Sequence, residues 1–153
     1  MKNKIQLLSP LFLIILFFSP GYSQCKVKSI VSECKANLKP FYYDSYAFNN
    51  IEFKNKSQKI EVQFTAFLDQ KYKLVFCSSG FEEKVKMKIY YDNGNKNKNR
   101  IQVYDSDKVT NNTLWSFEPH GAGDYYIEYD VPPSLDSAKK KKGCIVILIG
   151  MKT

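Results

Sequence analysis

KKKKGCIVILIGMKT, residues 139–153, ends the chain: four lysines, then Gly143 and Cys144, then an apolar run from Ile145 to Ile149. A membrane span needs about 20 apolar residues, and this run is far too short. Left as a free tail it would be an aggregation hazard, being β-prone, uncharged and free of proline. A strand with one wet face alternates apolar and polar residues, whereas this one is apolar at every position. That is the pattern of a strand covered on both faces. The segment is therefore expected inside a sheet, as a central strand. Gly143 turns the chain in, and Lys139 to Lys142 form a solvated, charged flank that keeps a sticky segment from mispairing.

The rest of the chain supplies partners for such a strand. In KIEVQFTAFL, residues 59–68, Ile60, Val62, Phe64, Ala66 and Leu68 share one face and Glu61, Gln63 and Thr65 the other; this is the period-2 signature of a half-buried strand, with Phe67 the odd member on the polar face. KYKLVFCS follows with Tyr72, Leu74 and Phe76 in register, and the short Leu68 to Lys71 connection suits a hairpin turn. In EKVKMKIYYD, Val85, Met87, Ile89 and Tyr91 alternate with Lys84, Lys86, Lys88 and Tyr90, so the lysines are expected to face water as a row. Asn93-Gly94 is a strong turn pair, because both residues tolerate positive φ. IQVYD, NTLWSFEP and DYYIEYDV read as further strands, the last stopped by Pro132-Pro133. Nearer the N-terminus, Val27, Ile30, Val31 and Cys34 fall at i, i+3, i+4 and i+7, which predicts a short helix ended by Lys39-Pro40. FYYDSYAFNNIEF fits a first strand bent at Asn49-Asn50. Seven or eight short strands with frequent turn signals indicate an all-β antiparallel sandwich of jelly-roll or GOLD-like type, with a closed barrel as the alternative. The 11 Phe, 11 Tyr and single Trp give it bulk for a core.

The chain opens MKNKIQLLSPLFLIILFFSPGYSQ. Lys2 and Lys4, the apolar run Leu11 to Phe18, and small Gly21 and Ser23 before a cut after Ser23 make the three parts of a secretory signal peptide. Residues 1–23 are thus expected to be removed, leaving residues 24–153 as one domain. A transmembrane anchor and a lipidated Cys25 are the alternatives. Without Lys2 and Lys4 the balance is 21 Lys+Arg against 15 Asp+Glu, or +6, and Lys139 to Lys142 carry four of those charges. The basic character is local, which excludes the spread basic surface of a nucleic-acid binder. Four cysteines, Cys25, Cys34, Cys77 and Cys144, remain in an exported chain and imply two disulfides. Of the three pairings, Cys25–Cys34 as a local clasp and Cys77–Cys144 as a long-range one are favoured. No C-x-x-C pair and a single histidine give no zinc site, and no cofactor is expected.

Trp115-Ser116-Phe117, a small-residue turn, then Gly123-Asp124-Tyr125-Tyr126-Ile127 resembles the late hairpin of GOLD-like and pre-peptidase-C-terminal-like sandwiches, in which such a stretch packs two strands across the core. The run from Val62 to Met151, through KYKLVFCSSGFEEKVKMKIY, WSFEP, DYYIEYDVPPS and GCIVILIG, resembles small secreted proteins of Bacteroidota, as does the Lys/Asn/Ile-heavy composition. The resemblance implies a sandwich and an interaction role; it brings no activity, and fold analogy alone does not establish function.

Several residue sets invite a chemical role. His120, in the turn Pro-His-Gly-Ala-Gly, is the only histidine for a Ser-His-Asp or Cys-His mechanism, and there is no Gly-x-Ser-x-Gly elbow. Asp92, Asp105 and Asp107 meet at one end of the sandwich in a reading that makes them a Ca²⁺ or acid/base site; as ordinary solvated loop acids they do not. Outward Tyr90 and Tyr126 suit an aromatic platform for a sugar or peptide, against ordinary cross-strand ring pairing. Lys84, Lys86 and Lys88, with Lys139 to Lys142, suit docking on an anionic surface. Asp136-Ser137-Ala138 resembles the O-glycosylation motif of Bacteroidota, with Ser137 the acceptor. The pattern as a whole points to an exported, non-catalytic module that binds a protein or glycan of the envelope in the periplasm, at the cell surface or outside the cell. A secreted hydrolase using His120 or the loop carboxylates, and a structural subunit of an envelope complex, are the competing readings.

Overall fold

The computed structural model describes residues 25–81, 85–92, 94, 100–108, 115–134 and 142–152. The expected signal peptide, Lys84, Ser137 and Lys139 to Lys141 lie outside them.

Eight strands form two four-stranded antiparallel sheets packed face to face. The strands are β1 (Tyr42–Glu52), β2 (Gln58–Ala66), β3 (Lys71–Ser79), β4 (Lys86–Asp92), β5 (Ile101–Asp105), β6 (Trp115–Phe117), β7 (Gly123–Val131) and β8 (Lys142–Lys152). One sheet runs β1-β8-β3-β6 and the other β2-β7-β4-β5. This is the expected sandwich. The core between the sheets takes the inward rows: Leu74 and Phe76 from β3, Met87 and Ile89 from β4, Ile127 and Tyr129 from β7, and Ile145 and Ile147 from β8.

The apolar C-terminal run has the position its sequence demands, but the strand starts earlier than expected: Lys142, expected in the solvated flank, is paired with Glu52, and Gly143, expected to turn the chain, lies inside β8 where the Phe81 ring packs against it. β8 lies between β1 and β3, pairing with β1 from Tyr42↔Met151 to Glu52↔Lys142 and with β3 from Lys71↔Lys152 to Ser79↔Cys144. Ile145 and Ile147 face the main core. Cys144, Val146 and Leu148 point the other way and are equally buried, in a second cluster with Ile30, Leu38, Val75 and Cys77. The cover on that face is the helix α1 (Val27–Cys34), continued by a 3-10 turn over Lys35–Leu38. Ile30 is buried beneath α1 and Leu38 beneath the turn, as the i, i+3, i+4, i+7 spacing requires.

Three local expectations are corrected. The link from β2 to β3 is not a hairpin: β2 pairs with β7 and β3 with β8 and β6, so residues 67–70 carry the chain from one sheet to the other. Leu68 and Phe67 stand exposed on this arch, with Asp69 at φ 63°. β1 runs straight through Asn49-Asn50, and its register shift lies between Tyr43 and Ser45. Tyr43 is held at that point by Lys35, whose Nζ sits 4.4 Å from the ring centroid.

The third correction is the cystine pairing. The bonds are Cys25–Cys144 and Cys34–Cys77, with Cα–Cα distances of 6.1 and 6.6 Å. α1 keeps Cys25 and Cys34 apart, because nine residues at about 1.5 Å of rise per residue separate them by more than a disulfide spans. Cys77 and Cys144 are offset by two register positions on β3 and β8, since Cys144 sits opposite Ser79 and Cys77 opposite Val146. Each end of α1 is thereby tied to a different strand. The Cys25 sulfur is used in this bond and is not available to a lipid. Two such bonds belong to a protein that folds in an oxidising compartment.

Candidate functional site

The outward face of the β2-β7-β4-β5 sheet carries most of the residues singled out from sequence. Tyr90 and Tyr126 are register partners on neighbouring strands, so the structure does bring the two rings together. It also occupies one of them. The Arg100 guanidinium carbon lies 3.3 Å from the Tyr126 ring centroid, and Arg100 is ion-paired with Glu61. The open two-ring platform is therefore reduced to one uncovered ring. The lysine row is also not a free basic stripe. Lys86 pairs with Asp107 at 2.9 Å, and the hydrogen bond to that carboxylate raises its pKa. Lys88 stands between Glu128 and Asp105 in register, and Lys59 pairs with Glu128 at 3.1 Å. Cations and carboxylates interleave, so this face has no strong single-sign field for an anionic surface to meet.

The acids do not assemble. Asp107 reaches Lys86 at the start of β4, whereas Asp92 ends that strand six residues on, about 20 Å away at strand rise. Asp92 there accepts a hydrogen bond from the Gly94 amide at 2.8 Å; Asn93 of the expected turn lies outside the described residues. Among the described residues no group of three or more His, Cys, Asp or Glu is placed to hold a metal ion. His120 is exposed in the link from β6 to β7. Its sequence neighbour Asp124 is engaged elsewhere, accepting from Thr65 Oγ1 at 2.7 Å across the β2–β7 pair. The carboxyl is held below its usual pKa first by Thr65 and then by Gln63. A carboxylate with a depressed folded-state pKa adds stability above its unfolded pKa, near 3.9, and that contribution is lost as pH falls through the folded value. Thr65→Val is expected to move the Asp124 titration upward, towards the ordinary carboxylate range, in a side-chain carboxyl NMR titration; an unmoved midpoint would show that Thr65 is not the cause. In the core Tyr129 is fully buried, and burial pushes its phenol far above its usual range.

A concave site lies on the other sheet, and it was not singled out from sequence. α1 covers β8 and β3 and leaves the outward row of β1 open. Between the flank of α1 and that row runs a groove of about 1010 Å³. Ser29 and Glu33 stand on its helical side, with the Ser29 hydroxyl donating to Glu33 Oε1 at 2.8 Å. Phe48 and Asn50 stand on its β1 side, and both cystines form part of its lining. Phe48 is 48% exposed and Tyr46, two residues before it, 42%. Their rings lie 6.4 Å apart, so they make one aromatic strip along the rim. Among the described residues β1 is also an edge strand. Over its 11 residues, YYDSYAFNNIE, it holds no lysine, arginine or proline. Lysine and proline are among the devices by which natural edges are usually blunted; Asp44, the register shift between Tyr43 and Ser45, and Glu52 lie towards the two ends of the strand and leave its middle open. The two cystines clamp α1 to the sheet, which keeps the groove wall fixed rather than frayed.

No helix among the described residues is long and apolar enough to cross a membrane. No family model matches the chain, and no curated protein matches it. Among solved structures, Aeromonas hydrophila PliG, a periplasmic lysozyme inhibitor of g-type lysozyme, superposes with a TM-score of 0.43 at 11% identity, over 74% of this chain and 90% of that one. A likeness this distant carries no statement about function.

Proposed function

We propose that this chain is an exported, non-catalytic binding module of the cell envelope, and that it takes a segment of a protein partner in the groove between α1 and β1. The observation that carries the reading is the groove itself: a concavity of about 1010 Å³ with an aromatic rim, walled by a helix that two cystines hold in place. Apolar surface with a few convergent polar groups is the usual make-up of a binding site. Exposed aromatic side chains are enriched where partners dock. The flat ring platform on the opposite sheet, the other place where a ligand could stack, is covered at Tyr126 by Arg100. Export rests on the signal-like residues 1–23 together with the two disulfides. The resemblance to GOLD-like sandwiches, mostly interaction modules, fits the same reading.

The test fills the groove without touching β1. Ser29 is exposed on the helical wall, so Ser29→Trp adds bulk to the concavity at little cost to the fold. Quantitative co-purification from the native envelope is compared for wild type, Ser29→Trp, and a control altered on the opposite sheet, Tyr90→Ser. A partner enriched by wild type and Tyr90→Ser but reduced about tenfold or more by Ser29→Trp, a change of about 1.4 kcal/mol, supports the groove. Enrichment unchanged by Ser29→Trp removes the groove as the site. Enrichment lost only with Tyr90→Ser moves it to the other face.

A further inference from the structure

The free edge of β1 raises a question separate from the groove's occupant. An edge strand presents unpaired N–H and C=O groups that template another strand. The other edge of the same sheet, β6, is three residues long, whereas β1 has 11 and two half-exposed rings. Tyr46 and Phe48 alternate with half-buried Ser45, Ala47 and Asn49, so their shared face is fixed.

We propose that two copies of this chain pair through β1, antiparallel about a two-fold axis at Ala47, to make one continuous eight-stranded sheet. Directly opposed residues in a sheet must lie on the same face, so only registers that differ by two residues compete. With the axis at Ala47, Tyr46 lies opposite Phe48 of the second copy and Phe48 opposite its Tyr46. All four rings then gather into one cluster. With the axis at Phe48, Phe48 meets its own copy and each Tyr46 faces Asn50. With the axis at Tyr46, Tyr46 meets its own copy and each Phe48 runs against the register shift between Tyr43 and Ser45. The register at Ala47 is the one that sets both rings opposite rings within the regular part of the strand. A two-fold contact of this kind is isologous and closes at two copies, which also covers this edge. The groove of each copy stays open on its helical side, since the second copy adds in the plane of the sheet.

The test reads the mass of the oxidised chain in solution, by light scattering and sedimentation, and does not involve any partner of the groove. Wild type is expected at about twice the monomer mass. Tyr46→Lys with Phe48→Lys sets lysine against lysine at both opposed positions and is expected to give a monomer. Tyr46→Lys with Phe48→Glu sets opposite charges at the same positions and is expected to restore the dimer. Both residues are about half exposed, so both variants should keep the wild-type circular dichroism. A monomeric wild type, a mass above the dimer, a double-lysine variant that stays dimeric, or a Lys/Glu variant no more dimeric than the double-lysine one each overturns the proposal. None of these results bears on the Ser29→Trp experiment.

Discussion

Deleting the chain from Gly143 onward is expected to leave a protein that does not fold. β8 is the strand through which both β1 and β3 are held, so its loss orphans two ladders at once. Ile145, Val146 and Leu148 are fully buried and Ile147 is 3% exposed. At roughly 1.5–3 kcal/mol for each buried aliphatic side chain, these four contribute about 6–12 kcal/mol. The net stability of a domain is about 5–15 kcal/mol, so the deletion removes an amount comparable to all of it. It also removes Cys144, and with it the tether of the N-terminal end of α1. The expected result is no cooperative thermal transition and rapid, complete proteolysis. The control replaces Lys139, Lys140 and Lys141 with serine, which is expected to keep the transition, because the substitution removes charge and no apolar side chain that a core could lose. A soluble, protease-resistant truncated chain would refute the central role given to β8.

How much of this was legible beforehand follows from how local each signal is. β2, β4 and β7 each have one wet and one dry face, so their alternation is written directly in ten or so consecutive residues. β8 has two dry faces and shows an unbroken apolar run for the same reason. The link from β2 to β3 was not legible, since a four-residue connection looks the same whether the next strand joins the same sheet or crosses to the other. Phe67 was the available hint: an aromatic on the polar face next to a turn fits an arch better than a tight hairpin. The groove was illegible for a stronger reason. Its walls come from α1 and β1 and its lining from both cystines, and only their assembly makes a concavity. Tyr90 and Tyr126 illustrate the remaining limit. Strand parity placed both rings on one outward face, but nothing near either residue in sequence shows that Arg100 lies over Tyr126.

Breaking either cystine is expected to cost about 3–5 kcal/mol, and the pairing makes that expectation specific. A disulfide acts in large part by restricting the unfolded chain, more so for longer loops. The bonds span 119 and 43 residues, and the shorter lies inside the longer. A helix-local Cys25–Cys34 clasp would close a loop of only nine residues, for which the same relation gives roughly 2.6 kcal/mol. Mass spectrometry of non-reduced peptides identifies the pairing directly. Cys77 and Cys144 are buried, so alanine is the better replacement: a serine there would bury a hydroxyl among Val75, Val146 and Leu148. Cys34→Ala with Cys77→Ala is expected to lower the melting temperature while leaving Cys25–Cys144 formed. The matching pair, Cys25→Ala with Cys144→Ala, frees the other end of α1. Removing all four sulfurs leaves the helix held to the sheet by packing such as that of Ile30 and Leu38, and the two losses then approach the whole stability of the domain. The effect should extend to binding. α1 is one wall of the groove, so the single-cystine variants, folded at low temperature, should lose partner capture before they lose the sandwich. A variant that keeps its full wild-type melting temperature, or peptides joined as Cys25–Cys34, would show that α1 is not clamped to β3 and β8 in this way.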